Sequence, residues 1–176
     1  FAPGLLPSKV AVASYLIGAE HASPVLSITT ANENLIGAQG IFTNWWKDDE
    51  VPAYADFFET DGTLLFSQRS AMQMDGGMGG SRTFPQKSFR LEFDNGTLGS
   101  GTVDFPLIPD RPARTRYSRI YLRNGSNQHL FLPHKDATQV RMMAGATNSY
   151  YSAWRPVTVY INGAYFGLYE LREKFD

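Results

Sequence analysis

Apolar and polar residues alternate in several short runs of this chain, the pattern of strands with one buried face. "PVLSITT" (Pro24 to Thr30) alternates in this way, and "KVAVASYLIG" (Lys9 to Gly18) is apolar and β-branched, so both read as strands. The polar stretch "AEHAS" between them reads as a turn. "PAYADFFE" and "TLLFSQRSAMQM" flank Asp61-Gly62, a strong hairpin signal because both residues tolerate positive φ. "KSFRLEF" sets Phe89, Leu91 and Phe93 on one face and Ser88, Arg90 and Glu92 on the other. "SRIYLRN" is a further short strand, and "RPVTVYINGAYFGLYELREKFD" is two strands around Asn162-Gly163, a type I′ hairpin by composition.

Only "KDATQVRMMAGAT" (Lys135 to Thr147) has helical spacing, with Ala137, Val140, Met143 and Ala144 three and four apart and Gly145 as a C-terminal stop. One helix among many strands predicts an α+β fold: an antiparallel, β-rich domain with one main helix. No repeat period and no low-complexity block divides the chain, so residues 1–176 read as a single domain, with 1–23 as a leading strand and connector from a preceding region.

Composition narrows the function. At 176 residues, 43% hydrophobic, the chain is long enough to bury a sizeable core. With 16 Lys and Arg against 17 Asp and Glu there is no broad field to steer it onto nucleic acid or an anionic membrane, so any anion site must be local. The absence of cysteine excludes disulfides, thiolate metal sites and thiol nucleophiles. No apolar run reaches the roughly 18 residues of a membrane span. Phe1 stands where a Met or charged leader is absent, which reads as a processed or excised chain.

The most distinctive stretch is "MDGGMGGSRTFPQKSFRLEF" (Met74 to Phe93). Backbone N–H groups of a glycine-rich turn can converge on an anion because no Cβ blocks the approach, and an adjacent cation balances the charge. Gly76, Gly77, Gly79, Gly80, Ser81, Arg82 and Lys87 meet that description. Pro85 stiffens the segment between Arg82 and Lys87, which suits a polyphosphate. A mobile turn with both cations in solvent is the plainer reading of the same composition. The stretch is neither a P-loop nor a dinucleotide fingerprint, since no helix follows the glycines, and the glycines miss the ordinary protein-kinase spacing.

Other constellations carry less. His21, His129 and His134 have no metal-ligand spacing, and no Gly-x-Ser-x-Gly elbow marks a serine hydrolase. Trp45 and Trp46, with Tyr54 nearby, form a candidate aromatic platform for a sugar or protein, or part of the core. Asn95 and Asn124 open glycosylation sequons that read equally well as β-turns.

Taken in order, "PVLSITTANENLIGAQGIFTN", "FFETDGTLLFSQ", "GGMGGSRTFPQKSFRLEF", "YLRNGSN", the "KDATQVRMMA" helix and "RPVTVYINGAYFGLYELREKFD" resemble the CotH kinase family, proteins similar to spore coat protein H. The resemblance runs from about Lys9 onward, and "SRTFPQKSFRL" and "YINGAYFGLYELREK" are its most specific pieces.

It implies an atypical kinase that transfers a phosphoryl group from ATP, with Mg²⁺, to Ser or Thr of secreted, coat or surface proteins, in bacteria and outside the cell or at its surface. The elements would then be those of a kinase N-lobe, with the C-lobe absent from this chain and required as its partner. Lys87 would stand where the phosphate-binding lysine stands, and the Glu170 to Glu173 segment near the hinge. The implied nucleotide-binding set is Lys87, Arg82, Ser81, Gly77, Gly79, Gly80 and Glu173. Catalytic and metal-binding residues would lie in the missing lobe, leaving this part inactive alone. The rival reading is an adhesin or carbohydrate- or protein-binding module at the cell surface.

Overall fold

The computed structural model describes residues 11–125, 128 and 130–173. Nine strands and two helices follow in the order β1 (Val25–Thr29), α1 (Asn32–Leu35), β2 (Glu50–Phe58), β3 (Leu64–Met74), β4 (Phe89–Glu92), β5 (Val103–Asp104), β6 (Arg116–Tyr117), β7 (Arg119–Arg123), α2 (Lys135–Ala146), β8 (Trp154–Ile161) and β9 (Ala164–Arg172). Seven of them form one sheet in the order β1-β2-β3-β4-β7-β9-β8, and β8 pairs with β1 to close it into a barrel. Every neighbouring pair is antiparallel except β1 with β8. The fold is therefore mainly β with one main helix, as the patterning implies, but its sheet is closed and mixed where a twisted antiparallel sheet is expected.

Strand alternation decides what fills the barrel. Leu26, Ile28, Ala55, Phe57, Met72, Met74, Phe89, Leu91, Ile120, Leu122, Val157, Val159, Tyr169 and Leu171 point inward and are buried. Val103, Leu107, Ile108 and Tyr117, from the chain between β4 and β7, join the same core. The Asn162-Gly163 turn has φ of 52° and 79°, both positive as a type I′ hairpin requires. At the other hairpin only Gly62 is positive, at 84°, while Asp61 Oδ1 accepts the N–H of Thr63 at 2.9 Å. That bond holds the Asp61 carboxyl below the ordinary carboxylate range.

Two expectations are corrected. Residues 11–18 form no strand; Lys9 and Val10 lie outside the described residues. A closed barrel offers no free edge for another strand to join. This segment instead reaches the barrel through side chains: Ser14 N–H donates to Asp56 Oδ2 and Ser14 Oγ to Ser27 Oγ, each at 2.8 Å. The helix runs through Gly145 and ends at Thr147, whose N–H and hydroxyl both bond Met143 O at 2.9 Å. Of the face foreseen for it, Ala137 is buried, Val140 and Ala144 are half-buried and Met143 is exposed. Charge holds α2 to the barrel as well, through Asp136 with Arg172 at 2.8 Å and Arg141 with Asp110 at 2.9 Å.

Candidate functional site

The glycine turn fills the connection between β3 and β4. Met74 and Phe89 pair across the ladder, so residues 75–88 form one loop, its neck closed by Asp75 N–H donating to Ser88 O at 3.0 Å. Gly76 sits at φ 95°, and a Cβ there would lie 1.9 Å from Ser81 Oγ, so the position requires glycine. Gly77 O accepts the N–H of Gly80 at 3.1 Å, and Gly80 O accepts both the N–H and the hydroxyl of Thr83 at 2.9 and 2.8 Å. Among the described residues no acceptor bonds the exposed N–H groups of Gly76, Gly77 and Gly79.

Arg82 and Lys87 have different surroundings. The Arg82 guanidinium is buried: Nε donates to Gly76 O at 2.8 Å, Nη1 lies 3.5 Å from both Trp45 O and Lys47 O, and Nη2 pairs with Asp48 Oδ1 at 2.9 Å. Gln73 Nε2 donates to Asp48 O beside it. Arg82 thus ties the Trp45–Asp48 connection to the glycine turn, with its donors taken up by protein.

Lys87 lies just before β4 and its amine turns back onto the loop, donating to Arg82 O at 3.0 Å. That neutral carbonyl is its bonded partner, and burial lowers its pKa from 10.5. The Lys87 amine and the glycine turn thus belong to one loop and are linked through Arg82, whose carbonyl accepts the amine and whose Nε donates to Gly76 O.

Three residues outside the expected set hold the lysine in place. Asn124, following β7 and buried, donates from Nδ2 to Ser81 O at 3.3 Å and Gln86 O at 2.5 Å, while its Oδ1 accepts from Ser88 Oγ at 2.8 Å. Its contacts with Ser81 and Ser88 bracket the Arg82–Lys87 span, and its contact with Gln86 lies within it. Tyr169, from β9, donates its hydroxyl to Lys87 O at 2.6 Å, and burial pushes that phenol well above the ordinary tyrosine range. Gln86 Nε2 donates to Leu168 O at 2.9 Å and lies across Gly167, where an added Cβ would meet its side chain at 2.7 Å. The sequence shows Asn124 only as part of an Asn-Gly turn, because its partners are some 40 residues away. Its buried side-chain nitrogen, bonded twice, does not read as a glycosylation acceptor.

The remaining candidates fall elsewhere. Ser81 is buried in the loop and its carbonyl accepts Asn124. Glu173 lies past the end of β9, about 13 Å along an extended chain from Tyr169. Its carboxylate is buried, accepting Arg111 Nε at 3.2 Å, Ala153 N–H at 3.0 Å and Arg114 Nη1 at 3.0 Å. Glu170 is buried with Arg172, at 2.6 Å. Neither glutamate pairs with Lys87. Trp45 packs against the core, while Trp46 is 48% exposed. His21 stands edge-on to Tyr160, His134 stacks on Trp154, and His129 lies outside the described residues. Among the described residues no three His, Cys, Asp or Glu side chains converge to hold a metal ion.

The profile of the CotH kinase protein family matches residues 73–176, more than half of the chain. The chain belongs to the CotH kinase family. A comparison with curated protein sequences gave no match. Within this CotH domain the matched segment holds the whole glycine loop, Lys87, Asn124 and Tyr169, together with β4 through β9 and α2. Closure of the barrel needs β1 and β2, which precede it. Membership in a kinase family implies ATP as phosphoryl donor. No helix among the described residues is long and apolar enough to cross a membrane.

Proposed function

We propose that this chain is the nucleotide-binding part of a CotH-type Ser/Thr protein kinase, and that the phosphates of ATP rest on the glycine turn against Lys87. The observation that carries the reading is the Lys87 amine, partly desolvated and bonded to one neutral carbonyl in the same loop as the glycine turn. Phosphoryl transfer asks the protein mainly for positioning and charge neutralisation, which a fixed cation over backbone donors supplies. Gly77, Gly79 and Gly80 shape the cradle. Ser81 and Arg82 hold its form, and Glu173 fixes the chain where β9 ends.

In this reading the carboxylates that hold Mg²⁺ and the base that takes the hydroxyl proton come from outside the described residues, in a second lobe, and this part transfers nothing by itself. The acceptors are Ser or Thr hydroxyls of secreted, coat or surface proteins, which places the protein outside the cell or at its surface. Titration of ATP with Mg²⁺ against the protein and its Lys87→Met form tests the proposal. A charged hydrogen bond is worth about 1.5–3 kcal/mol, so the variant is expected to bind ten- to a hundredfold more weakly. Equal affinity would remove Lys87 from the site.

The exposed Trp46 supports a second reading, a surface module that binds a glycan or protein through aromatic side chains. A glycan screen in which Trp46→Ala behaves as the parent protein counts against it.

A further inference from the structure

Asn124, which braces the Lys87 loop, is itself held from both sides, and both holds lead to α2. On one side stands Arg123, the last residue of β7. Its Nη2 lies 3.4 Å from Oδ2 of Asp136, in the first turn of α2, and the same oxygen pairs with Arg172 Nη2 of β9 at 2.8 Å. One carboxylate thus cross-links the last residues of two paired strands, each of which supplies a residue that holds the loop: Asn124 follows β7, and Tyr169 lies in β9. On the other side is Gly125, at φ 90° and packed so closely on Pro133 that a Cβ there would lie 2.5 Å from the Pro133 carbonyl oxygen. Pro133 directly precedes His134, the N-cap of α2. Backbone bonds run the same way: Gln128 N–H donates to Gly125 O at 3.3 Å, Leu132 N–H to Gln128 O at 2.8 Å and Lys135 N–H to Leu132 O at 3.0 Å. Among the residues of α2 only Ala137 is buried, while Met142 and Met143 are exposed. With so little apolar burial, the ion pairs decide how firmly the helix is seated.

We infer that Asp136 is a positioning residue of the Lys87 loop: by seating α2 on Arg123 and Arg172 it fixes Asn124, and Asn124 fixes the span from Ser81 to Ser88. This coupling needs no ligand, so it stands apart from the phosphate reading. It joins a helix and a loop that do not bond one another directly, through a contiguous run of ion pairs, close packing and backbone bonds.

The experiment combines side-chain amide NMR with backbone hydrogen exchange on the parent protein, Asp136→Asn, Asp136→Glu and Arg116→Gln. Arg116 pairs with Asp104 at 3.0 Å on the β5–β6 ribbon, an exposed ion pair outside both α2 and the loop, and serves as the control. In Asp136→Asn the Asn124 Nδ2 resonances should shift. The Asp75 N–H, which closes the loop neck on Ser88 O, should lose protection about fivefold together with the α2 amides, the effect of losing one half-exposed ion pair. Asp136→Glu, which keeps the charge, should return both toward the parental values, and Arg116→Gln should leave them there. If the asparagine form fails to fold, the parent protein in about 0.5 M salt takes its place, because screening weakens the same pairs and should give the same pattern. Parental values for Asn124 and Asp75 in Asp136→Asn, whether or not α2 loosens, would confine Asp136 to its helix and overturn the inference. Equal loosening of the loop in Arg116→Gln would overturn it as well, by showing that any lost ion pair has this effect.

Discussion

Two charged residues lie near the C-terminal half of β9, and they are treated in opposite ways. Past its C-terminal end, the Glu173 carboxylate is buried among Arg111, Arg114 and the Ala153 N–H, so both its oxygens are bonded and its charge is opposed. Lys87, whose main-chain carbonyl accepts the Tyr169 hydroxyl, has its amine on one neutral carbonyl and, among the described residues, no carboxylate to oppose it. A buried charge that serves the fold is surrounded by partners, because an uncompensated one is costly. A lysine amine with a single neutral acceptor is available to a ligand, as proposed above. The contrast marks Glu173 as a structural group and leaves Lys87 to the proposed phosphate site.

The largest expected effect lies with the structural group. Glu173→Ala leaves two arginines and a backbone donor without their acceptor, and should lower unfolding free energy by about 3 kcal/mol, the low end for a broken buried pair because both arginines keep some contact with water. Chemical denaturation measures it, and a loss under half that value would show that the cluster contributes little. Asn124→Ala should cost about 2 kcal/mol, since it removes the donor shared by the Ser81 and Gln86 carbonyls and the buried acceptor of the Ser88 hydroxyl, and should weaken ATP binding as well by releasing the loop. Binding unchanged in a destabilised variant would separate Asn124 from the site.

Gly76→Ala, forced to positive φ with its Cβ on Ser81 Oγ, should cost roughly 1–2 kcal/mol in a thermal melt and disturb the turn. A melt like that of the parent would mean the turn adapts freely. Lys87→Met should change stability by less than about 1 kcal/mol at neutral pH. Its sign follows from the lowered pKa: the folded state binds the proton less well, so the charged amine counts against folding, and that penalty fades as pH rises toward the unfolded value of 10.5. The parent should therefore gain on Lys87→Met as pH rises toward 10.5; a gap independent of pH would deny the desolvation.

Alternation and turn chemistry made much of the fold legible. β1, β2, β3, β4, β7, β8 and β9 all fall on runs whose inward positions recur every second residue, and the Asn162-Gly163 turn announced its own geometry. Closure was not legible, because the β1–β8 contact joins residues more than 130 apart and nothing local marks it. The leading segment has strand composition but meets a barrel without an edge, so its propensity has no ladder to enter. At the site, glycine spacing and a nearby lysine pointed to the loop, yet the same signal presented Arg82 as a second free cation. Its acceptors lie on Trp45, Lys47 and Asp48, a distant connection that local sequence cannot associate with it.

The most direct test follows the two cations separately by side-chain nitrogen NMR as ATP with Mg²⁺ is added to the labelled protein. The account predicts that the Lys87 Nζ resonance moves with saturable dose dependence while Arg82 Nε, bonded to Gly76 O, stays in place. Movement of Arg82 Nε with Lys87 Nζ unchanged would contradict it.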